Sequence, residues 1–168
     1  MTPFPEAFHP LPDTARLWLL ALDRAPGAGP RAALLAGMAS ILGQWRHKGH
    51  AYQGAFALLE DRILAVAEPD LASNPSGCAI DGMLRKVERL LAELGLAALD
   101  PAALVLARTG EGLRAFPKGD LEALLQEGVL GPSTPVLDLS LYNLGDLRAG
   151  RLEGPLARTW IGRKFKVA

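Results

Sequence analysis

Three residues of this chain could act together as a nucleophile and its base: Cys78, the only cysteine, and His47 and His50. A thiolate attacks where a thiol does not, and a histidine within hydrogen-bond reach can generate it. Cys78 sits in Ser73-Asn74-Pro75-Ser76-Gly77-Cys78-Ala79-Ile80-Asp81, where a turn-forming cluster runs into an amphipathic segment. If a helix begins near Ser76, the sulfur falls in its first turn, where the helix dipole favours anions, thiolates included. The free N–H groups of that turn could equally hold an anionic ligand. Gly77 would let such a ligand approach the backbone, and Ser76 would cap the helix. Ser76, Gly77, Cys78 and Asp81 are therefore the ligand-binding candidates, and Cys78, His47 and His50 the catalytic ones.

Each has a plainer explanation. Cysteine is often a small buried hydrophobe, and histidines at a helix C-terminus complement its dipole. Asp61 in a turn and Asp81 near a helix start stand where aspartate is expected anyway. Two histidines and a cysteine, with Asp81 or Asp61 as a fourth ligand, would make an incomplete zinc set. Their spacing matches no compact zinc motif, so neither a metal nor another cofactor is expected. The segment Arg158 to Lys166 interleaves cations with Trp160 and Phe165, a pattern that can grip a phosphate or single-stranded nucleic acid. A tail that docks its aromatics on the core and leaves its cations in water has the same composition. No G-x-x-x-x-G-K-[ST], G-x-G-x-x-G, G-x-S-x-G or H-E-x-x-H motif occurs.

The elements that must position these residues are read from periodicity. Prolines at 3, 5, 10 and 12 make residues 1–14 an extended arm, and residues 15–168 form one domain. Residues 16–22 read as a buried strand and 23–30 as a loop. Residues 31–47 read as a helix stopped by Lys48-Gly49, with His47 and His50 at its end. Gly37 and Gly43 weaken that helix. Residues 52–59 and 63–67 read as a hairpin turning at Glu60-Asp61-Arg62. Residues 80–94 form the best-defined helix, with Ile80, Met83, Leu84, Val87, Leu90, Leu91 and Leu94 on one face and Gly95 ending it. Strands follow at 103–108 and 113–116, then a short helix from Asp120 to Glu127, a strand at 135–142 and an irregular tail. The order through Arg108 is the ferredoxin-like βαββαβ order. The expected fold is α+β: a mostly antiparallel sheet with helices on one face and a C-terminal strand and helix extension.

Composition bounds the function. Among 168 residues, 18 basic and 18 acidic side chains cancel, which argues against duplex nucleic acid or an anionic membrane as partner. No run of about 18 apolar residues suggests a membrane span. Met1 to Glu6 lacks the basic and apolar regions of a signal peptide. One cysteine makes no internal disulfide, so a cytoplasmic location is expected.

At Ser76-Gly77-Cys78-Ala79-Ile80-Asp81 the chain resembles a family of uncharacterised bacterial proteins whose shared segment reads S-G-C-S-I-D ahead of a helix. The likeness extends from Trp45 through the hairpin around Arg62 to Arg108, and to Trp160, Arg163 and Phe165 in the tail. It adds Arg62 to the ligand-binding candidates. Ala79 replaces the family's second serine, so no hydroxyl chemistry is carried over to that position. Some members are labelled "ABC transporter ATPase", a label the missing P-loop contradicts. The resemblance supplies positions and no reaction. Three functions are thus expected of the Ser76–Asp81 region: binding a small anion or a protein partner, cysteine-dependent catalysis with Cys78 as nucleophile, or a scaffold role. A homodimer through a sheet edge or helix face is compatible with each.

Overall fold

The computed structural model describes residues 2–47, 49–69 and 77–167, with the side chain of His47 outside that description. The architecture is α+β, and strand pairing among the described residues is antiparallel. Strand β1 (Arg16–Ala21) leads to helix α1 (Ala28–Gly43). A two-residue-strand hairpin follows, β2 (Arg46–His47) and β3 (His50–Ala51). Then come β4 (Ala55–Leu59), β5 (Ile63–Glu68), α2 (Gly77–Glu93), β6 (Leu104–Thr109) and β7 (Gly112–Pro117). The C-terminal part holds α3 (Leu121–Gln126), β8 (Pro135–Leu137), α4 (Leu144–Arg148), β9 (Glu153–Pro155) and α5 (Trp160–Lys164).

The strands form two larger sheets rather than the single sheet expected. The first has the order β1-β5-β4, the second β7-β6-β8-β9. The linear order through β6 is the expected one with an extra hairpin, but the pairing departs from a ferredoxin-like sheet. A split βαβ unit would set β1 parallel to β5, whereas here they are antiparallel, and β6 belongs to the other sheet.

Side-chain alternation explains the stacking. Trp18, Leu20, Leu64, Val66, Phe56 and Leu58 face α1 and α2, meeting Leu34, Met38, Met83, Val87 and Leu91. The intervening residues combine small Ala21, Ala55, Ala57, Ala65 and Ala67 with Leu17, Leu19, Leu59 and Ile63. They pack on Leu106, Leu137, Leu144, Leu147 and Leu152 from the second sheet and its connections. The far face of the second sheet carries Val105, Ala107, Phe116 and Val136, which α3 and α5 cover through Leu121 and Ile161. The layers are therefore helices, sheet, sheet, helices. Strand β5, central and apolar on both faces up to its last residue, Glu68, is buried along its whole length.

Helix α1 crosses α2 at Gly37. A β-carbon there would stand 2.6 Å from the end of the Leu90 side chain, so the residue that lowers helix propensity is the one that permits the contact. Three segments differ from expectation. The arm is not free: a 3-10 turn at Glu6–Phe8 packs beside β4 and buries Phe8 fully. The helix over 31–47 ends at Gly43, so the histidines stand on the hairpin instead, where His47 is paired with His50. The irregular tail contains α4, capped by Asn143 Oδ1 accepting from Asp146 N–H at 2.8 Å, and α5, capped by Thr159. No described helix is long and apolar enough to cross a membrane.

Candidate functional site

Helix α2 begins at Gly77, a turn earlier than the apolar periodicity indicates, and its first turn is largely open. Gly77, Cys78 and Asp81 are exposed, while Ala79 is buried beneath them. Cys78 is thus not the packed hydrophobe of the plainer explanation. Ser76 lies outside the described residues.

A buried hydrogen bond ties the hairpin β2–β3 to this turn. Trp45 Nε1 donates to Ala79 O at 3.0 Å, across 34 residues of sequence. The indole also anchors a run of rings. Trp18 meets it edge-on at 5.9 Å, Tyr52 lies tilted against it at 4.9 Å, and His50 meets Tyr52 edge-on at 5.7 Å. Tyr52 N–H donates to Trp45 O at 3.0 Å and closes the hairpin base. The fold therefore brings the hairpin bearing His47 and His50 to the helix turn bearing Cys78. No hydrogen bond joins Cys78 to His50 among the described residues, and the His47 side chain, the other candidate base, lies outside them.

Arg62 does not belong to this group, which corrects its place among the ligand-binding candidates. It lies beside the C-terminal end of α2, a helix of 17 residues, or about 25 Å, away from Gly77. Its guanidinium is engaged by the backbone. Nε donates to Leu22 O at 2.7 Å, Nη2 to Asp23 O at 2.8 Å and Nη1 to Leu113 O at 2.7 Å. Asp23 N–H in turn donates to Ala97 O, just past α2. Asp61 is at this same far end, paired with Arg31 at 2.5 Å. No group of three or more histidine, cysteine or carboxylate side chains positioned to hold a metal occurs among the described residues.

The chain matches no protein-family model, no curated protein and no solved structure.

Sequence reasoning missed a second charged cluster. Arg108 donates to Glu60 through Nη1 at 3.1 Å, and to Glu153 through Nη2 at 2.6 Å and Nε at 3.1 Å. It thereby ties the β4–β5 turn of the first sheet to β9 of the second. Glu60 and Asp61 both adopt left-handed backbone angles, φ 50° and 54°, which Asp tolerates better than Glu. The Glu60 carboxylate also accepts from Thr2 Oγ1 at 2.5 Å. That hydroxyl, with help from Arg108 and against the effect of burial, holds the Glu60 carboxyl below its ordinary range. The Glu153 and Glu60 carboxylates raise the Arg108 pKa. No local pattern marks these three residues as partners, because they are contributed by separate hairpins.

The basic and aromatic tail is split by α5. Ile161 and Gly162 are buried, whereas Trp160 stays 46% exposed with Lys118 Nζ 4.6 Å from its ring.

Proposed function

We propose that this is a binding domain that recognises an anionic group, carried by a small molecule or a protein partner, at the first turn of α2. The observation that carries this reading is the Trp45–Ala79 hydrogen bond. It fixes the hairpin against a long helix's N-terminus at which Gly77 and Cys78 are exposed, so first-turn N–H groups and a histidine-bearing edge border the same surface. N-terminal N–H groups and the helix dipole attract carboxylate and phosphate. The resemblance around Ser76–Asp81 supports the location alone. A lone cysteine with no internal disulfide to form fits a cytoplasmic setting.

The test is a titration of the nitrogen-15-labelled protein with inorganic phosphate and with acetate, against sodium chloride at equal ionic strength. Saturable shifts at the Gly77, Cys78 and Ala79 amides are expected. Shifts that match the chloride control, or that spread evenly over the surface, overturn the reading. The exposure of Cys78 favours a second reading, a cysteine-dependent enzyme. Alkylation by iodoacetamide across pH separates them: a profile set by an ordinary thiol pKa of about 8.5 leaves the nucleophile reading without support.

A further inference from the structure

We propose that the cleft between β6 and β8 binds a free amino acid with a branched aliphatic side chain. Strands β6 and β8 share one register pair, Ala107 with Val136, and then part. Lys118 N–H donates to Ala103 O at 2.9 Å in continuation of the β6–β7 register, so residues 103, 105 and 107 bond to β7 while 104 and 106 face β8. On the other strand, Asp138 N–H donates to Leu152 O at 2.7 Å, toward β9, which turns the backbone of Leu139 toward β6. Continuing the Ala107–Val136 register would set Leu104 opposite Leu139 and bond them to each other. Instead, the N–H and C=O of both residues have no backbone partner among the described residues.

The opening is a cleft whose apolar walls include Leu104, Leu139, Val105 and Ile161, with Trp160 of α5 beside them. Its volume is about 90 Å³. A cavity of about 150 Å³ holds benzene, so this one admits a branched aliphatic side chain and excludes an aromatic one. The polar head of the ligand then stays at the mouth.

Charge identifies that head. Lys118 and Asp138 are the charged residues of the lining, and neither forms an ion pair among the described residues, with each other or with a third group. Lys118 Nζ donates to Pro101 O and Ala102 O, both at 2.8 Å, and lies 4.6 Å from the centre of the Trp160 ring. The two carbonyls hold the ammonium in place and leave one of its three N–H bonds for a ligand. Asp138 Oδ1 accepts from the Ser140 N–H and hydroxyl, and Oδ2 carries no hydrogen bond among the described residues. A cation and an anion on one cleft call for a zwitterion, which a simple acid or amine is not. The open Leu104–Leu139 pair asks for the same head: its carbonyls suit an ammonium and its N–H groups a carboxylate. A gap of one register pair has the length of one residue, so the occupant is a single amino acid rather than a strand.

The probe is L-leucine, added to the nitrogen-15-labelled full chain. Millimolar leucine is expected to shift the Leu104 and Leu139 amides saturably. 4-Methylpentanoate, which lacks the ammonium, and 3-methylbutylamine, which lacks the carboxylate, should each bind at least about tenfold more weakly. Asp138→Asn keeps the acceptor for Ser140 and removes the charge. It should weaken leucine by a similar factor and leave 4-methylpentanoate unchanged. Lys118→Gln should do the converse, weakening leucine and leaving the amine unchanged. Unshifted Leu104 and Leu139 amides overturn the proposal. So does binding of the acid or the amine as tight as that of leucine, which assigns the cleft to a simple ion, or a leucine affinity indifferent to Asp138→Asn.

Discussion

The two ends of the first sheet use polar residues in opposite ways. At the end where the β4–β5 turn lies, nearly every charge is engaged inside the molecule. Arg62 satisfies three carbonyls, Arg108 bridges Glu60 and Glu153, and Asp61 pairs with Arg31. At the other end, the Trp45 indole donates to Ala79 O and ties the hairpin to α2, and Cys78, Asp81 and His50 are exposed although Glu68 is buried. Charges that hold two sheets together are committed to stability, and a domain must place its recognition groups where the fold does not need them. The clamped end is the less promising place for a site even though it is richer in charge.

The comparison breaks most readily at Arg62. Replacing it by Met removes the donors for Leu22 O, Asp23 O and Leu113 O together. Hydrogen bonds to charged groups contribute about 1.5–3 kcal/mol each, and water can replace part of that at a half-buried position, so a loss of about 3 kcal/mol is expected. In a chain of this size the melting temperature should drop by roughly 6–12 °C. Arg62→Lys should recover only part of it, because one ammonium cannot reach three carbonyls in the plane a guanidinium spans. A drop below 2 °C in calorimetry would show that the clamp is not what joins the sheets at this point. Arg108→Met leaves Glu60 and Glu153 without their shared cation. All three side chains are partly exposed, so the expected cost is smaller, about 1–2 kcal/mol. A double-mutant cycle with Glu153→Gln should show coupling between the two positions, and additive effects would refute the bridge.

The contrast also explains what the sequence could and could not reveal. Helix α2 and the β4–β5 and β6–β7 hairpins are local: one apolar face, a glycine stop, tight turns between short runs. The second sheet was less accessible. The run from Ile63 to Ala67 is compatible with one covered face or two, and only its complete burial decides for two. Gly49, at φ 80°, misled because a left-handed glycine ends a helix and turns a hairpin equally well. At the site, the start of α2 was legible to within a turn. The Trp45–Ala79 bond was not, since 34 residues separate partners that share no periodic pattern. Arg62 was misassigned for the same reason: its carbonyls lie 39 to 51 residues away.

Acid sharpens the comparison more gently. The Thr2 hydroxyl, then Arg108, hold the Glu60 carboxyl below its ordinary value of 4.5. A depressed folded-state pKa means that the ionised carboxylate stabilises fully above that value and that the contribution is lost as pH falls through the lower one. Stability should therefore decline as pH is taken from about 5 toward 3, and Glu60→Gln should flatten the decline by removing one titrating group. An unchanged slope in the Gln variant would mean that other carboxylates dominate acid unfolding.

The smallest effect on stability belongs at the open end. Cys78 contributes no side-chain hydrogen bond among the described residues and is exposed, so Cys78→Ser should change stability by no more than about 0.5 kcal/mol. His50→Ala, which removes the edge contact to Tyr52 at 5.7 Å, is the companion variant on the hairpin. The informative measurement is anion binding by these variants beside their melting curves. If first-turn N–H groups are the recognition element, Cys78→Ser keeps both its anion affinity and its melting temperature, because serine preserves the backbone that does the binding. If the variant melts as the parent does but loses affinity, the sulfur itself contacts the ligand, and the open end is a thiol site rather than a backbone one.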